Sequence, residues 1–225
     1  MPTYRQTVLT FPRQRFLFVH IPRTGGRFVE ANLIYNNNFA WDDAHRVRGS
    51  VTRSVEQGKQ KIYDSVDGVE IAHFHRPLYE KYLDVKNIPH ISIVRNPIDR
   101  FISSSIYLKR VYGNDIQATM EDTFMFSEML RNFPSLFPES ANWFRQQVDF
   151  MTNNTHIWKF ENGLGKEYVN WLNGILDMDL EFDDDVEYPR GPDEHNKLDK
   201  TPALIDNVKF FFRRDLETFY PELAT

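Results

Sequence analysis

The sequence of 225 residues contains no cysteine. This absence excludes disulfide frameworks, thiolate metal sites, thiol catalysis and thiol-based redox switching. Any catalysis by this chain must therefore use histidine, lysine, arginine, serine, tyrosine or carboxylate side chains.

Long apolar runs are also lacking. No run approaches the ~18 residues that span a bilayer, and the polar segment MPTYRQTVLTFPRQR has no apolar stretch of the kind found in signal peptides. We therefore predict a soluble, cytoplasmic protein without a membrane partner. Internal repeats and linkers are absent too, while 41% hydrophobic and 15% aromatic residues are enough for a continuous core. We predict a single domain over residues 1–225.

Charge is distributed unevenly along the chain, although the net charge is only −5. Residues 1–110 carry 17 Lys and Arg against 10 Asp and Glu, whereas residues 111–225 carry 10 against 22. A basic first half favours an anionic ligand there, although an ordinary solvated surface would have the same charge. We expect no nucleic-acid partner.

Hydrophobic periodicity and the positions of proline and glycine predict an α/β fold. Strands are predicted over Phe16–Ile21, Val69–His73, Pro89–Val94 and Thr155–Phe160. Helices are predicted over Phe28–Tyr35, Ile98–Tyr112, Thr123–Phe133, Ala141–Met151, Lys166–Ile175 and Thr201–Tyr220. Irregular structure or short helices are expected over Asn36–Asp67, and an acidic loop over Asp177–Asp193. Strands separated by helices favour a mainly parallel sheet flanked by helices.

The segment FLFVHIPRTGGRFVE, residues 16–30, is the first candidate binding motif. A strand that leads through a glycine turn into a helix presents backbone N–H groups to an anion. Glycines let the backbone approach a ligand closely, threonine adds a hydroxyl donor, and arginines add permanent positive charge. The Walker A pattern GxxxxGK[ST] is absent, which argues against an ordinary NTPase. A plain strand–helix turn with two surface arginines remains an alternative.

The segment HISIVRNPIDRFISSSIYLKR, residues 90–110, is the second. Arg95 follows a predicted strand, at the sheet edge where ligands of open α/β sheets gather. Ser103 lies about two turns into the next helix. An arginine fork and a serine hydroxyl could together bind a phosphate group. Alternatively, Arg95 forms an ion pair with Asp99 at the helix start, and the serines form a polar helix face.

Together, the two segments resemble sulfotransferases that use 3′-phosphoadenosine 5′-phosphosulfate (PAPS). The likeness is closest to carbohydrate sulfotransferases of the heparan sulfate 2-O type, because His-Phe-His at 73–75 stands where those enzymes carry His-Gly-His. The resemblance implies a P-loop-like sulfotransferase fold with a nucleotide-binding core over 16–110, and a helical part with a C-terminal lid over 111–225. It also implies PAPS as co-substrate, adenosine 3′,5′-bisphosphate as product, no metal, and an acceptor hydroxyl that we expect to belong to a saccharide.

The resemblance assigns roles to individual residues. The residues expected to hold the 5′-phosphosulfate are Arg23, Thr24, Gly25, Gly26, Arg27 and Phe28. Those expected to hold the 3′-phosphate are Arg95 and Ser103, with Lys197 and Lys200 as lid contacts. Arg23 also has a catalytic role, stabilising the leaving phosphate, although most relatives have lysine there. Arg27 departs from the usual threonine or serine, so it could instead face the sulfuryl group or the acceptor.

For the catalytic base, the resemblance implies His75, and His73 is the alternative. A histidine pKa of about 6.5 suits removal of a proton from a sugar hydroxyl. Glu30 is a further candidate because some sulfotransferases use a glutamate, but it is better explained as a solvent-facing residue of the first helix.

Two other functions remain open at this stage. One is a phosphotransferase of the P-loop type that uses ATP, and the other is a non-catalytic module that binds an anionic glycan. The arginine at position 23 keeps the second alternative open. Since this chain lacks the membrane anchor and the cysteines of the glycan enzymes, we expect a bacterial or viral setting.

Overall fold

The computed structural model describes residues 8–11, 14–33, 40–41, 52–55, 62–66, 69–112, 142–182 and 200–224. The strands are β1 (Val8–Phe11), β2 (Gln14–Val19), β3 (Ala40–Trp41), β4 (Thr52–Val55), β5 (Ile62–Val66), β6 (Val69–Glu70), β7 (His90–Val94) and β8 (Thr155–Lys159). The helices are α1 (Gly26–Ala31), α2 (Arg76–Tyr82), α3 (Pro97–Tyr112), α4 (Lys166–Leu176), α5 (Pro202–Phe211) and α6 (Arg213–Phe219). Short 3-10 helices span Ile71–His73, Gln147–Phe150, Phe160–Asn162 and Pro221–Leu223.

Five of these strands form one sheet in the order β3-β1-β2-β7-β8. Strands β2, β7 and β8 are parallel, with Phe18 opposite Ile91 and Ile91 opposite His156. Strands β1 and β3 extend the sheet at one edge in antiparallel pairing. The parallel strands and the flanking helices confirm the predicted α/β fold. Because the three strands are parallel, the segments that follow them emerge at the same sheet edge.

Alternating residues of β2 are buried on opposite faces of the sheet. Phe16 and Phe18 belong to one core cluster, with apolar residues of α1, β7 and α4. Leu17 and Val19 belong to another, with residues of α2 and α6. A strand buried on both faces has no polar alternation, which explains the continuous apolar run in its sequence.

A third core cluster joins α3 to the C-terminal helices. Phe101 and Ile102 of α3 pack there with Leu204 and Val208 of α5, and with Phe212. Packing against α5 and Phe212 therefore fixes the position of α3 relative to the C-terminal helices.

Local signals in the sequence set the start of two helices. Asn96 precedes Pro97, and its side-chain oxygen accepts a hydrogen bond from the N–H of Ile98 at 2.9 Å. Thr201 is the N-cap of α5, and Pro202 takes the first helical position, where a missing N–H leaves no donor unsatisfied.

Two predictions between residues 36 and 73 are wrong. The segment Asn36–Asp67, expected to be irregular or to form short helices, contributes β3 to the main sheet, and contributes β4 and β5 to a separate sheet of order β4-β5-β6. The strand predicted over Val69–His73 ends at Glu70, and a 3-10 helix follows it. Glu70 is the last residue of β6 that pairs with β5, opposite Ser65, so no ladder partner holds the next residues in an extended conformation.

Two predicted helices also differ from the structure. In the described part of Ala141–Met151, residues 147–150 form a 3-10 helix instead of an α-helix. The carbonyls of Trp143 and Arg145 there accept hydrogen bonds from the Arg100 side chain. The helix predicted over Thr201–Tyr220 is divided at Phe212 into α5 and α6. Thr123–Phe133 and residues 183–193 lie outside the described residues. Among the described helices, none is both long enough and apolar enough to cross a membrane.

Candidate nucleotide-binding and active site

The loop between β2 and α1 brings its polar groups to the sheet edge. Arg23 has a positive φ of 68°, and Gly25, the N-cap of α1, has a φ of 94°. The hydroxyl of Thr24 is buried and donates a hydrogen bond to the carbonyl of Ile21 at 2.8 Å. Arg23 and Gly25 thus have left-handed backbone conformations, and the hydrogen bond of Thr24 between them fixes the path of the loop.

Close packing requires both loop glycines. A Cβ at Gly25 would collide with Leu164 and lie 3.2 Å from the ring of Phe160. A Cβ at Gly26 would collide with the imidazole of His20, which fills the space beside that position. The second glycine is therefore needed for the approach of a histidine ring.

Arg23 extends to the second motif. Its Nε donates a hydrogen bond to the hydroxyl of Ser103 in α3 at 2.9 Å. Its guanidinium carbon also lies 5.2 Å from the ring centre of Tyr107 and 5.9 Å from that of Trp143. These two rings stack on each other, with centroids 4.3 Å apart. The aromatic pair holds the charged head of Arg23 beside Ser103 through cation–π contacts.

Arg95 leaves the end of β7 and joins the same group. Its Nη1 donates a hydrogen bond to the carbonyl of Arg23 at 3.3 Å, and its guanidinium lies over the ring of Phe160 at 4.7 Å. Burial lowers the pKa of Arg95, and the negative charges of Asp99 and Glu161 oppose that shift. The structure therefore brings Arg23, Arg95 and Ser103 together from two segments.

The two histidines after β6 differ in their surroundings. The ring of His73 packs edge-on against that of His20, with centroids 4.7 Å apart, and lies 6.1 Å from Trp143. Its backbone carbonyl accepts a hydrogen bond from Asn142 at 2.8 Å. His73 thus adjoins both the loop and the aromatic pair that holds Arg23.

His75 is more deeply buried, at 2% exposure. Its ring lies edge-on to Phe150 at 6.2 Å, and its carbonyl accepts the first hydrogen bonds of α2, from Leu78 and Tyr79.

Glu30 lies within hydrogen-bonding distance of His20, with Nδ1 3.0 Å from Oε1, and both side chains are buried. The expectation that Glu30 faces solvent from the first helix is therefore wrong. It helps to fix the imidazole against which Gly26 and His73 pack.

Other residues predicted for the site lie at the edge of the group that Arg23, Arg95 and Ser103 form. Arg27 is exposed, and Phe28 is half-buried against Phe182. Lys200 forms an exposed ion pair with Asp99 at 2.8 Å, which places it near the start of α3. Lys197 lies outside the described residues. Among the described residues, no group of three or more histidine and acidic side chains could hold a metal ion.

Arg100 is a site-forming residue that the sequence analysis missed. It is 1% exposed and donates hydrogen bonds to the carbonyls of Pro22 at 3.0 Å, Arg145 at 2.8 Å and Trp143 at 3.0 Å. Burial lowers its pKa to about 10, so it remains charged at neutral pH. A signal for it existed, because residues 100, 103, 104 and 107 share the i, i+3, i+4, i+7 spacing of one helix face.

The other site residues that the sequence did not indicate are Asn142, Trp143 and Gln147. Asn142 holds the backbone of His73, Trp143 stacks beneath Arg23, and Gln147 forms two hydrogen bonds with the backbone of Arg95. No local pattern marks these residues, because each contact is with a residue distant in the sequence.

Comparison with known proteins gives one match. The sequence model of a family described as the sulfotransferase family matches residues 6–171. This range includes β2, the loop with Arg23, the two histidines, Arg95 and Ser103, and it covers more than half of the chain. No curated protein and no solved structure matches the chain significantly.

Proposed function

The chain belongs to the sulfotransferase family, and on that premise we propose that it transfers the sulfuryl group of PAPS to an acceptor hydroxyl, which we expect to belong to a saccharide. The observation that carries this proposal is the contact between the two motifs, in which Arg23 bonds to Ser103 and Arg95 bonds to the carbonyl of Arg23. Two guanidiniums and a hydroxyl at one sheet edge suit a ligand with more than one anionic group.

The residues present fit a doubly phosphorylated nucleotide. We propose that Arg95 and Ser103 hold the 3′-phosphate, and that the loop from Arg23 to Phe28 holds the 5′-phosphosulfate. Phe160, over which Arg95 lies, offers an aromatic face beside the charges. We further propose that residues 16–110 form the nucleotide-binding core, and that Lys197 and Lys200 belong to a C-terminal lid.

Bound PAPS would supply an activated sulfuryl group, whose bond to the 5′-phosphate oxygen breaks as the acceptor oxygen bonds to sulfur. Arg23 places a permanent positive charge where negative charge develops on the leaving phosphate, and preorganised charges of this kind lower the barrier electrostatically. A histidine accepts the proton of the acceptor hydroxyl. By the family resemblance this base is His75, and His73 is the alternative that the contacts with the loop favour.

Two measurements test the proposal. In a thermal-shift titration with adenosine 3′,5′-bisphosphate, ATP, and ATP with Mg²⁺, we expect stabilisation by the bisphosphate without metal. Stabilisation by ATP with Mg²⁺ alone would instead favour a phosphotransferase. In a screen with ³⁵S-labelled PAPS and saccharide acceptors, we expect label on at least one acceptor. Binding of the bisphosphate with no transfer to any hydroxyl acceptor would leave a non-catalytic binding module as the better account.

A further inference from the structure

One side chain holds both polar backbone groups of Arg95. The N–H of Arg95 donates a hydrogen bond to Oε1 of Gln147, and Nε2 of Gln147 donates one to the carbonyl of Arg95, each at 2.9 Å. Gln147 is fully buried. Arg95 is the first residue after β7, so these two bonds replace the sheet ladder that no longer fixes its backbone.

Gln147 is itself anchored from the C-terminal helix. The backbone N–H groups of Gln147 and Val148 donate to the two carboxylate oxygens of Asp215 in α6, at 2.8 and 3.0 Å. Asp215 is fully buried, and burial raises its pKa, although the two backbone hydrogen bonds and the charge of Arg100 oppose that shift. The carboxylate therefore fixes the start of the 3-10 helix from which the Gln147 side chain reaches Arg95.

We propose that Gln147, anchored by Asp215, is a positioning residue that directs the Arg95 guanidinium and so sets the affinity for the 3′-phosphate of the nucleotide. The backbone of a residue fixes the direction in which its side chain leaves. The Arg95 guanidinium contacts the carbonyl of Arg23 and the ring of Phe160, and it reaches both only from the backbone position that Gln147 holds. This inference rests on the proposed function, since it takes the 3′-phosphate as the ligand of Arg95.

The test compares two nucleotides that differ in the 3′-phosphate. Calorimetry gives the Kd of adenosine 3′,5′-bisphosphate and of 5′-AMP for the wild type and for Gln147→Leu. We expect the bisphosphate to bind about tenfold more weakly to the variant, because the misdirected Arg95 guanidinium loses a well-formed charged hydrogen bond to the 3′-phosphate, while 5′-AMP changes by less than about twofold. Asp215→Asn should show the same selective loss, because its amide N–H opposes one of the two backbone donors. It therefore tests the proposal even where Gln147→Leu folds poorly.

Two further variants make the test specific. Gln146→Leu removes the neighbouring buried glutamine, whose side-chain oxygen has no hydrogen-bond partner among the described residues, and should bind both nucleotides as the wild type does. In an Arg95→Gln background, Gln147→Leu should add no further loss, because coupled residues are not additive.

The possible failures are distinguishable. If Arg95→Gln weakens the bisphosphate selectively but Gln147→Leu and Asp215→Asn do not, or if these two variants weaken both nucleotides equally, the positioning role is overturned and the proposed function stands. If Arg95→Gln itself has no selective effect, the assignment of the 3′-phosphate to Arg95 is overturned together with this inference.

Discussion

The Nε of Arg23 donates a hydrogen bond to the hydroxyl of Ser103 across 2.9 Å, although the two residues are 80 positions apart in the sequence. The first motif supplies the arginine and the second supplies the serine. The carbonyl of Arg23 meanwhile accepts a hydrogen bond from Arg95. Loop and helix thus form one connected set of donors, in which the cation of the loop lies beside the residues expected to hold the 3′-phosphate.

This arrangement predicts different kinetic effects for the two arginines. Arg23→Ala should lower kcat by about 100-fold or more, since Arg23 stabilises charge that develops during transfer. Arg95→Ala should mainly raise the KM for PAPS, since Arg95 contributes to binding before and during the reaction. Steady-state kinetics with PAPS as the varied substrate separates the two effects.

Arg213→Ala provides the control, because this arginine is exposed and forms its ion pair with Glu217, four residues further along α6. Its kinetic constants should match those of the wild type. An unchanged kcat in Arg23→Ala would remove this residue from leaving-group stabilisation.

Much of this region could be predicted because its signals are local. An apolar run before Pro22 and two glycines indicate the strand and loop, and Pro97 marks the start of α3. The bond from Arg23 to Ser103 and the two hydrogen bonds of Gln147 to the Arg95 backbone were not predictable in this way. They depend on which segments the parallel sheet brings to one edge, and neither contact leaves a periodic pattern in the sequence.

The C-terminal helices show the same limit. Residues 209–214, KFFFRR, contain no proline or glycine, and their pattern favours one continuous helix. The break at Phe212 follows from tertiary packing, since this side chain is 1% exposed and lies in the core beside Phe101. The turn between α5 and α6 also brings Asp215 to the backbone of Gln147.

Substitution of the two histidines should identify the base. If His75 accepts the proton, His75→Ala should lower kcat by about 100-fold or more and abolish the acidic limb of the pH profile of kcat. His73→Ala should have a smaller effect on kcat and keep that limb. The exposed His156 of β8 is the matched control, and His156→Ala should leave the profile unchanged. A normal profile in His75→Ala, with the loss in His73→Ala, would transfer the role to His73.

Gly26→Ala should destabilise the fold. The added methyl group would collide with the buried ring of His20, which Glu30 holds in place, and overpacking of this kind costs about 1–3 kcal/mol. Urea unfolding of the single variants and of Gly26→Ala with His20→Ala would show a coupling energy, because the smaller residue makes room.

Gly174→Ala is the matched control for that experiment. Gly174 lies within α4, and nothing within 4 Å would meet its Cβ, so the substitution should stabilise the protein by about 0.5–1 kcal/mol. A Gly26→Ala variant as stable as the wild type would contradict the packing described for the loop.

Asp215 should make stability depend on pH. Burial raises its pKa from the ordinary value of 3.8 to about 6, despite the opposing effects of hydrogen bonds from Gln147 and Val148 and the charge of Arg100. Since the folded state binds this proton more tightly than the unfolded state, the contribution of Asp215 to the free energy of unfolding falls as pH rises from about 4 to about 6.

The fall should amount to up to about 3 kcal/mol, since one pKa unit corresponds to about 1.4 kcal/mol. Urea unfolding of the wild type and Asp215→Asn between these pH values measures it, because the variant lacks the titrating group and shares the remaining charges. The wild type should lose stability relative to the variant across this range. A difference that stays constant with pH would show that Asp215 does not titrate there.

The most direct test of the central claim is the nucleotide preference of the site that Arg23, Arg95 and Ser103 form. Isothermal calorimetry without metal, at fixed salt, compares adenosine 3′,5′-bisphosphate with 5′-AMP. We predict that the bisphosphate binds at least about tenfold more tightly, as expected for charge-assisted bonds to the added phosphate, and that Arg95→Gln abolishes most of this difference. Equal affinity for the two nucleotides in the wild type would contradict the account.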